Sequence, residues 1–295
     1  MAKRKINGVL LLDKPTGLTS NSALQRAKRL YEAEKAGHTG TLDPFASGLL
    51  PICLGEATKF SQFLLNADKT YRAEIRLGVR TSTADPEGEV IETRPVAVGA
   101  DQVRAVLPRF LGEIMQIPPM HSALKRDGRP LYEYARQGIE IERAPRPVQV
   151  HELTFESLAG EVLTLLVHCG KGLYVRTLAE DIGAALGCGA YLQALRRLQV
   201  GPFRLEDAVG LPELEALDLA GRDARLKPEF ILVADLPRLE LDIDAAWQVC
   251  HGQAIWRPGL VVGQRFALYG PEGRFLGVAE VDEDGKVAPR RLLAS

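Results

Sequence analysis

The sequence predicts an α+β fold in two parts, a large unit over residues 1–236 and a small β-rich unit over 237–295. Three features predict it. A short apolar strand, VLLLDKPTG, runs into an amphipathic helical segment, TSNSALQRAKRLYEAEKAG. Tyr71, Ala73, Ile75 and Leu77 alternate with polar residues at the period of a half-buried strand. Beyond about Leu236 the pattern changes to short strands separated by turns, as in RFALYGPEGRFLGVAEV, where PEG joins two alternating runs. At 295 residues the chain has room for two cores, with LKPEFILVADLPRL as the link near residues 230–238.

Taken in order, VLLLDKPTG is a buried strand closed by a Pro and Gly turn. The helix after it has Ser or Asn at its N-cap and Ala23, Leu24, Ala27, Leu30 and Tyr31 on one face. Arg26, Lys28 and Arg29 make its outer side basic, and Gly37 supplies its stop. The segment GHTGTLDPFASGLLPICLGEATK follows directly. KTYRAEIRLGVRTSTADPEGEV reads as a strand and a polar turn at Asp85–Gly88, and DQVRAVLPRFLGEI as a helix. QIPPMHSALKRDGRPLYEYARQG fits no single regular element, and long irregular insertions in compact domains are usually functional or disordered. Tyr132 and Tyr134 lie there among Lys125, Arg126, Arg129 and Arg136, stacking groups amid backbone-neutralising charge, as on RNA-contacting surfaces. EVLTLLVHCGKGLYVRTLAEDIGAALG reads as a strand, a Gly-Lys-Gly turn, a short strand through Tyr174 and Val175, and a helix starting near Thr177. Arg176 then falls at a strand-to-helix junction, aimed into a cleft or simply on the surface.

Composition narrows the function classes. Hydrophobic residues make up 46% and charged residues 25%, values of a soluble globular protein. No apolar run approaches a membrane span, and MAKRKINGVLLLDKP lacks the long apolar core of a signal peptide, so a cytoplasmic protein is expected. Cys53, Cys169, Cys188 and Cys250 form no CxxC pair, and His168 beside Cys169 points to the opposite face of a strand, so no metal is expected. The net charge of −1 hides an asymmetry. Residues 1–40 carry eight Lys or Arg against three acids and residues 121–150 six against four, whereas residues 211–295 carry ten against fourteen. P-loop, GxGxxG, GxSxG and HExxH patterns are all missing, which removes the common nucleotide, hydrolase and zinc readings. What stands out is Asp43, one carboxylate in the apolar, glycine-punctuated stretch from Gly37 to Lys59. A carboxylate there is either a turn or cap residue or a reactive group, and the residues alone leave both open.

GHTGTLDPFASGLLPICLGEATK resembles the catalytic motif of the TruB family of RNA pseudouridine synthases, the bacterial tRNA pseudouridine-55 synthases. VLLLDKPTGLTSN, DKTYRAEIRLGVRTSTADPEG, PPMHSALKRDGRPLYEYARQG, HCGKGLYVRTLAEDIG and LRRLQVGPF resemble further family segments in the family's order, over roughly residues 8–235. The resemblance implies a pseudouridine synthase fold with a mixed, mainly antiparallel central sheet, an RNA-binding insertion over about residues 115–147, and a C-terminal PUA-like RNA-binding domain. It implies isomerisation of a uridine in the T-arm loop of tRNA, without cofactor or metal, by a monomer with no obligatory protein partner. A noncatalytic tRNA chaperone and a guide-RNA-dependent synthase are the rival readings.

By the same resemblance, Asp43 is the catalytic aspartate, Tyr71 the tyrosine that stacks on the flipped base, and Arg176 the arginine paired with the carboxylate. Leu195 is the leucine packed against the site, and His38 the histidine that enters the RNA loop. Lys14 and Pro15 match a motif supporting the cleft, and Tyr174 lies beside Arg176 in the YVRT segment. Lys125, Arg126 and Arg129, with other basic residues of 14–35 and 125–146, are expected to hold phosphates. An ionised Asp needs no activation, only placement, and a neighbouring Arg favours its charged form.

Overall fold

The computed structural model describes residues 3–122 and 124–294. Strand β1 (Gly8–Lys14) is apolar along almost its whole length because both of its faces are covered. Leu10 and Leu12 pack under helix α1 (Ser20–Leu30), whereas Val9 and Leu11 face the C-terminal part. Thr19, rather than Ser or Asn, caps α1, its Oγ1 accepting from the Ser22 N–H at 3.0 Å. The helix stops at Leu30, well before Gly37. Glu32 takes a left-handed φ of 52° and Arg4 N–H donates to its carbonyl at 2.7 Å, turning the chain into β2 (Ala36–His38), which contains Gly37.

Strands β3 (Ser47–Leu54) and β4 (Lys69–Leu77) join β1 and β2 in a ten-stranded sheet. Its path runs Val209–Gly210, β1, β3, Ala190–Val200, β4, Val162–Cys169, Arg146–Ala159 and Gly112–Gln116. The pairings of β1 with Val209–Gly210 and of β3 with Ala190–Val200 are parallel and the others antiparallel, so the sheet is mixed and mainly antiparallel. Ala73, Ile75 and Leu77 point to one face, as their alternation predicts, and helix Val175–Ala185 covers it with Leu178, Ala179 and Ile182. No strand passes through Tyr174 and Val175. Gly172 turns the chain at φ 89°, and the helix begins at Val175, two residues earlier than expected. DQVRAVLPRFLGEI divides likewise, its helix ending at Val106 before Pro108 and its last residues entering strand Gly112–Gln116.

The sheet edge formed by Gly112–Gln116 and Arg146–Val150 gives off the irregular stretch between them. Within it, Lys125–Arg126 and Arg129–Pro130 form a small hairpin whose turn, Asp127 and Gly128, has positive φ at both positions. A short helix, Leu131–Ala135, follows.

The C-terminal residues form a separate five-stranded sheet in the order Arg238–Glu240, Arg265–Tyr269, Phe275–Val281, Lys286–Leu292, Ile255–Trp256. PEG turns between the central strands as expected. Helix Ile243–Cys250, capped by Asp242 at 2.8 Å, was not legible among the turn signals because it is only eight residues long. Phe275, Tyr269 and Val278 of this sheet share one apolar cluster with Val9, Leu11, Leu49, Cys53 and Phe60 of the large one. Leu232 and Val233 of the linking segment are buried in the same cluster. All four cysteines are free, and burial pushes the Cys53 and Cys169 thiols up to about 12. Among the described residues no helix is long and apolar enough to cross a membrane, and no group of three His, Cys, Asp or Glu is placed to hold a metal ion.

Candidate active site

Asp43 sits on the loop between β2 and β3, and the surrounding chain fixes that loop from several sides. Leu42 and Ala46 are buried in the main core, anchoring the residues next to it. Ser20 Oγ donates to Leu42 O at 2.9 Å and accepts from Leu42 N at 2.8 Å. Gly17 N donates to Pro44 O at 2.8 Å. The Lys14 ammonium, wholly buried, donates to the carbonyls of Pro15 at 2.9 Å, Leu18 at 2.6 Å and Pro44 at 3.5 Å. Burial pulls its pKa down to about 8, against the opposing pull of Asp43. Lys14 is therefore not among the phosphate-holding cations: its charge is spent on the loop's carbonyls, out of reach of solvent. Pro15 stays exposed at the rim and contributes one of those carbonyls.

The Asp43 side chain itself is 35% exposed, at the edge of the buried zone. Its Oδ2 lies 3.1 Å from Nε of Arg176, which is almost wholly buried in the first turn of helix Val175–Ala185. Arg176 does not pair with Glu180 or Asp181 on its own helix. Its Nη1 meets Asp85 Oδ2 at 3.0 Å and its Nη2 donates to the carbonyl of His121 at 2.7 Å. Asp85 is in turn held by Thr83 Oγ1 at 2.5 Å and by the Glu87 N–H at 3.0 Å. One guanidinium thus links the Asp43 loop, the turn after β4 and the insertion. Burial pushes the Asp43 carboxyl above the ordinary aspartate value; Arg176 opposes this, and Asp85 adds to the rise. The lowering by arginine expected from sequence is outweighed by desolvation.

Tyr71 is half-buried on β4, opposite Arg197 on one neighbouring strand and Val167 on the other. Burial raises its phenol pKa, and the charge of Arg197 pulls it back. Leu195, opposite Ala73 on the same face, is buried in the adjoining core. Tyr174 caps the Arg176 helix; its N–H donates to Gln116 Oε1 at 2.8 Å and its carbonyl accepts from Gln116 Nε2 at 3.1 Å, tying that helix to the root of the insertion. Burial raises the Tyr174 hydroxyl pKa. His38 is half-buried on β2 opposite Ile52, with Nδ1 unpartnered, and burial together with Arg197 lowers its pKa. Lys125, Arg126 and Arg129 are not in this cluster. They project from the exposed hairpin, where Arg129 lies 4.8 Å over the Tyr134 ring.

Two buried residues of the site escaped sequence reading, Asp85 and Arg197. Asp85 reads as a turn residue, although TADPEG repeats the Asp-Pro pairing of TLDPFA. Arg197 lies two residues from Leu195 on a strand, so period-2 alternation puts it on the same inward face.

A mixed sheet with an arginine-held aspartate on the loop entering one of its inner strands belongs to a pseudouridine synthase once its relatives are considered. Residues 28–175 match the TruB family pseudouridylate synthase N-terminal domain. Residues 176–233 match the tRNA pseudouridylate synthase B C-terminal domain, and residues 237–293 the pseudouridine synthase II TruB C-terminal model. The chain belongs to the TruB family. It is 57% identical to the tRNA pseudouridine synthase B of Burkholderia mallei, over 100% of this chain and 99% of that one. It is 53% identical to that of Methylobacillus flagellatus, over 99% and 96%. Among solved structures, a Cbf5-Nop10-Gar1 complex superposes with a TM-score of 0.75 at 28% identity, covering 97% of this chain and 84% of the other. An H/ACA RNP bound to a substrate RNA containing 2′-deoxyuridine gives 0.74 at 26%, covering 98% and 85%.

Proposed function

We propose that the protein converts a uridine of tRNA, position 55 in the T-arm loop, to pseudouridine in the cytoplasm. The observation that supports this most directly is the partly exposed Asp43 carboxylate, held by an arginine that is itself locked by a buried aspartate. The reaction breaks the N1–C1′ bond of uridine, forms a C5–C1′ bond and moves the C5 proton to N1, so it needs no net redox change. The target base leaves its stack at a cost of a few kcal/mol, and Tyr71 gives it a face to stack on. Asp43 acts on the extruded nucleotide as the glycosidic bond breaks. Arg176 keeps the carboxylate in place, and Leu195 closes the apolar wall. His38 fills the space that the base vacates. Lys125, Arg126 and Arg129 grip the phosphates, with Tyr174 joining that insertion to the Arg176 helix, and residues 237–295 form a PUA-like domain against the rest of the tRNA.

The purified chain alone, given an unmodified tRNA transcript labelled with tritium at uridine C5, releases tritium; Asp43→Asn releases none yet binds the transcript with wild-type affinity. A transcript with cytidine at position 55 releases no tritium from any other uridine. Absence of release by the wild type sinks the enzymatic reading, and activity that requires an added protein or guide RNA sinks the stand-alone one. Release from the cytidine transcript sinks the position.

A further inference from the structure

Of the side chains described, Arg197 is the largest that is fully buried, at 1% exposure. Among the described residues no carboxylate lies within ion-pair distance of it, whereas its neighbour Arg196, on the opposite face of the strand, pairs with Asp13 at 2.7 Å. A buried cation without a carboxylate is costly and calls for a reason. Its surroundings supply one. Nε donates to Leu49 O at 2.7 Å and Nη2 to Gly40 O at 3.4 Å, so the guanidinium spans the two ends of the loop that carries Asp43. The backbone of Arg197 pairs with Gly48 on one side and Tyr71 on the other. Gly48 has a φ of 103°, and a Cβ there would collide with the Arg197 carbonyl, so the loop's exit is seated directly on this residue.

We propose that Arg197 is a positioning residue for the uridine reaction, clamping both ends of the Asp43 loop against the strand that carries Tyr71. The proposal rests on the assignment of Asp43 and Tyr71 made above. One side chain then sets the Asp43 loop and the register of the stacking tyrosine, and its charge adds to the burial that already lowers the His38 pKa. Tyr71 lies directly opposite Arg197 on the neighbouring strand. A neutral His38 enters an RNA loop as a flat, weakly solvated ring, whereas a protonated one in that place would sit beside another cation.

The test compares the full-length wild type with Arg197→Met and Arg197→Lys in three measurements: single-turnover pseudouridine formation at saturating tRNA transcript, tRNA affinity, and the His38 pKa by NMR. Arg197→Met is expected to slow the single-turnover step about a hundredfold, the effect of a small misplacement of reacting groups. Its tRNA affinity stays unchanged and its His38 pKa rises. Arg197→Lys returns the His38 pKa toward wild type and recovers part of the rate. A wild-type rate in Arg197→Met, a loss confined to affinity, or a Lys variant that leaves His38 where Met put it overturns the proposal. Should both variants fail to fold, the wild-type chain decides alone: an Arg197 Nε proton that exchanges with solvent as fast as an exposed arginine's overturns the clamp, and a protected one supports it. The exchange measurement needs no turnover, so an inactive wild type would refute the proposed function without touching this result.

Discussion

At the residue scale the proposed chemistry and stability pull on Asp43 in opposite directions. Desolvation raises the Asp43 pKa in the folded chain, so the fold favours the protonated acid while the proposed reaction uses the carboxylate. For an acid whose folded pKa lies above its unfolded one, the stabilising contribution is complete below the unfolded value and is lost as pH rises through the folded value. At neutral pH Asp43 therefore opposes folding. Asp43→Asn should raise the denaturation midpoint at pH 7, and the gain should vanish below about pH 3.8, where both side chains are neutral. Denaturant titrations at the two pH values check this, and an equal or lower midpoint for the variant at pH 7 refutes it. The wild-type single-turnover rate should correspondingly fall on the acid side at a pH above that of an ordinary aspartate. Asp43 and Arg176 were legible in their motifs. The link between them, Asp85, was not, because an Asp before Pro in a Gly-bearing turn has a sufficient local explanation.

At the element scale two segments divide the work. The Asp43 loop is pinned by Ser20, Lys14 and Arg197, the restraint that the proposed reactive group needs. The insertion is an exposed hairpin and short helix rich in cations, joined to the site through the His121 carbonyl on Arg176 and Gln116 on Tyr174. Replacing Lys125, Arg126 and Arg129 together by Ala should weaken tRNA binding and flatten the slope of log Kd against log salt by about one for each phosphate no longer neutralised. The single-turnover rate at saturating tRNA should stay near wild type. An unchanged salt slope would mean that these residues do not hold phosphates. The basic and aromatic character of this stretch was readable; its hairpin was not, since strands of two residues leave no periodicity to detect.

At the scale of the whole molecule the two sheets are bound by a shared apolar seam. Phe275 stands 5.4 Å from Phe60 and 6.4 Å from Phe230, ring centre to ring centre, and the backbone of the C-terminal strand accepts from Lys59 at 2.9 Å. Phe275→Ala should destabilise the protein by about 3–5 kcal/mol, the usual range for truncating a core phenylalanine. Far-UV and near-UV signals should still unfold together. A loss confined to the C-terminal sheet, seen as two separate transitions, would show that the seam does not couple the parts. The sequence places a link near residues 230–238 but offers no sign that it is buried, because its apolar residues read equally well as a short strand.

The sequence by itself determined the α+β class, the period-2 strands under the site, the basic stretches and, through motifs in order, the family; it also singled out the aspartate that the proposed reaction uses. Those are local properties or linear patterns, and they survive without coordinates. Only the tertiary structure decided what the charges do. Lys14 faces carbonyls instead of phosphates, Arg176 reaches Asp85 across 91 positions, and Arg197 lies buried opposite Tyr71 with no carboxylate among the described residues to pair with it. The physical reason is that a charged side chain's role is set by what surrounds it, through burial, distance and partners, and strands far apart in sequence supply those surroundings.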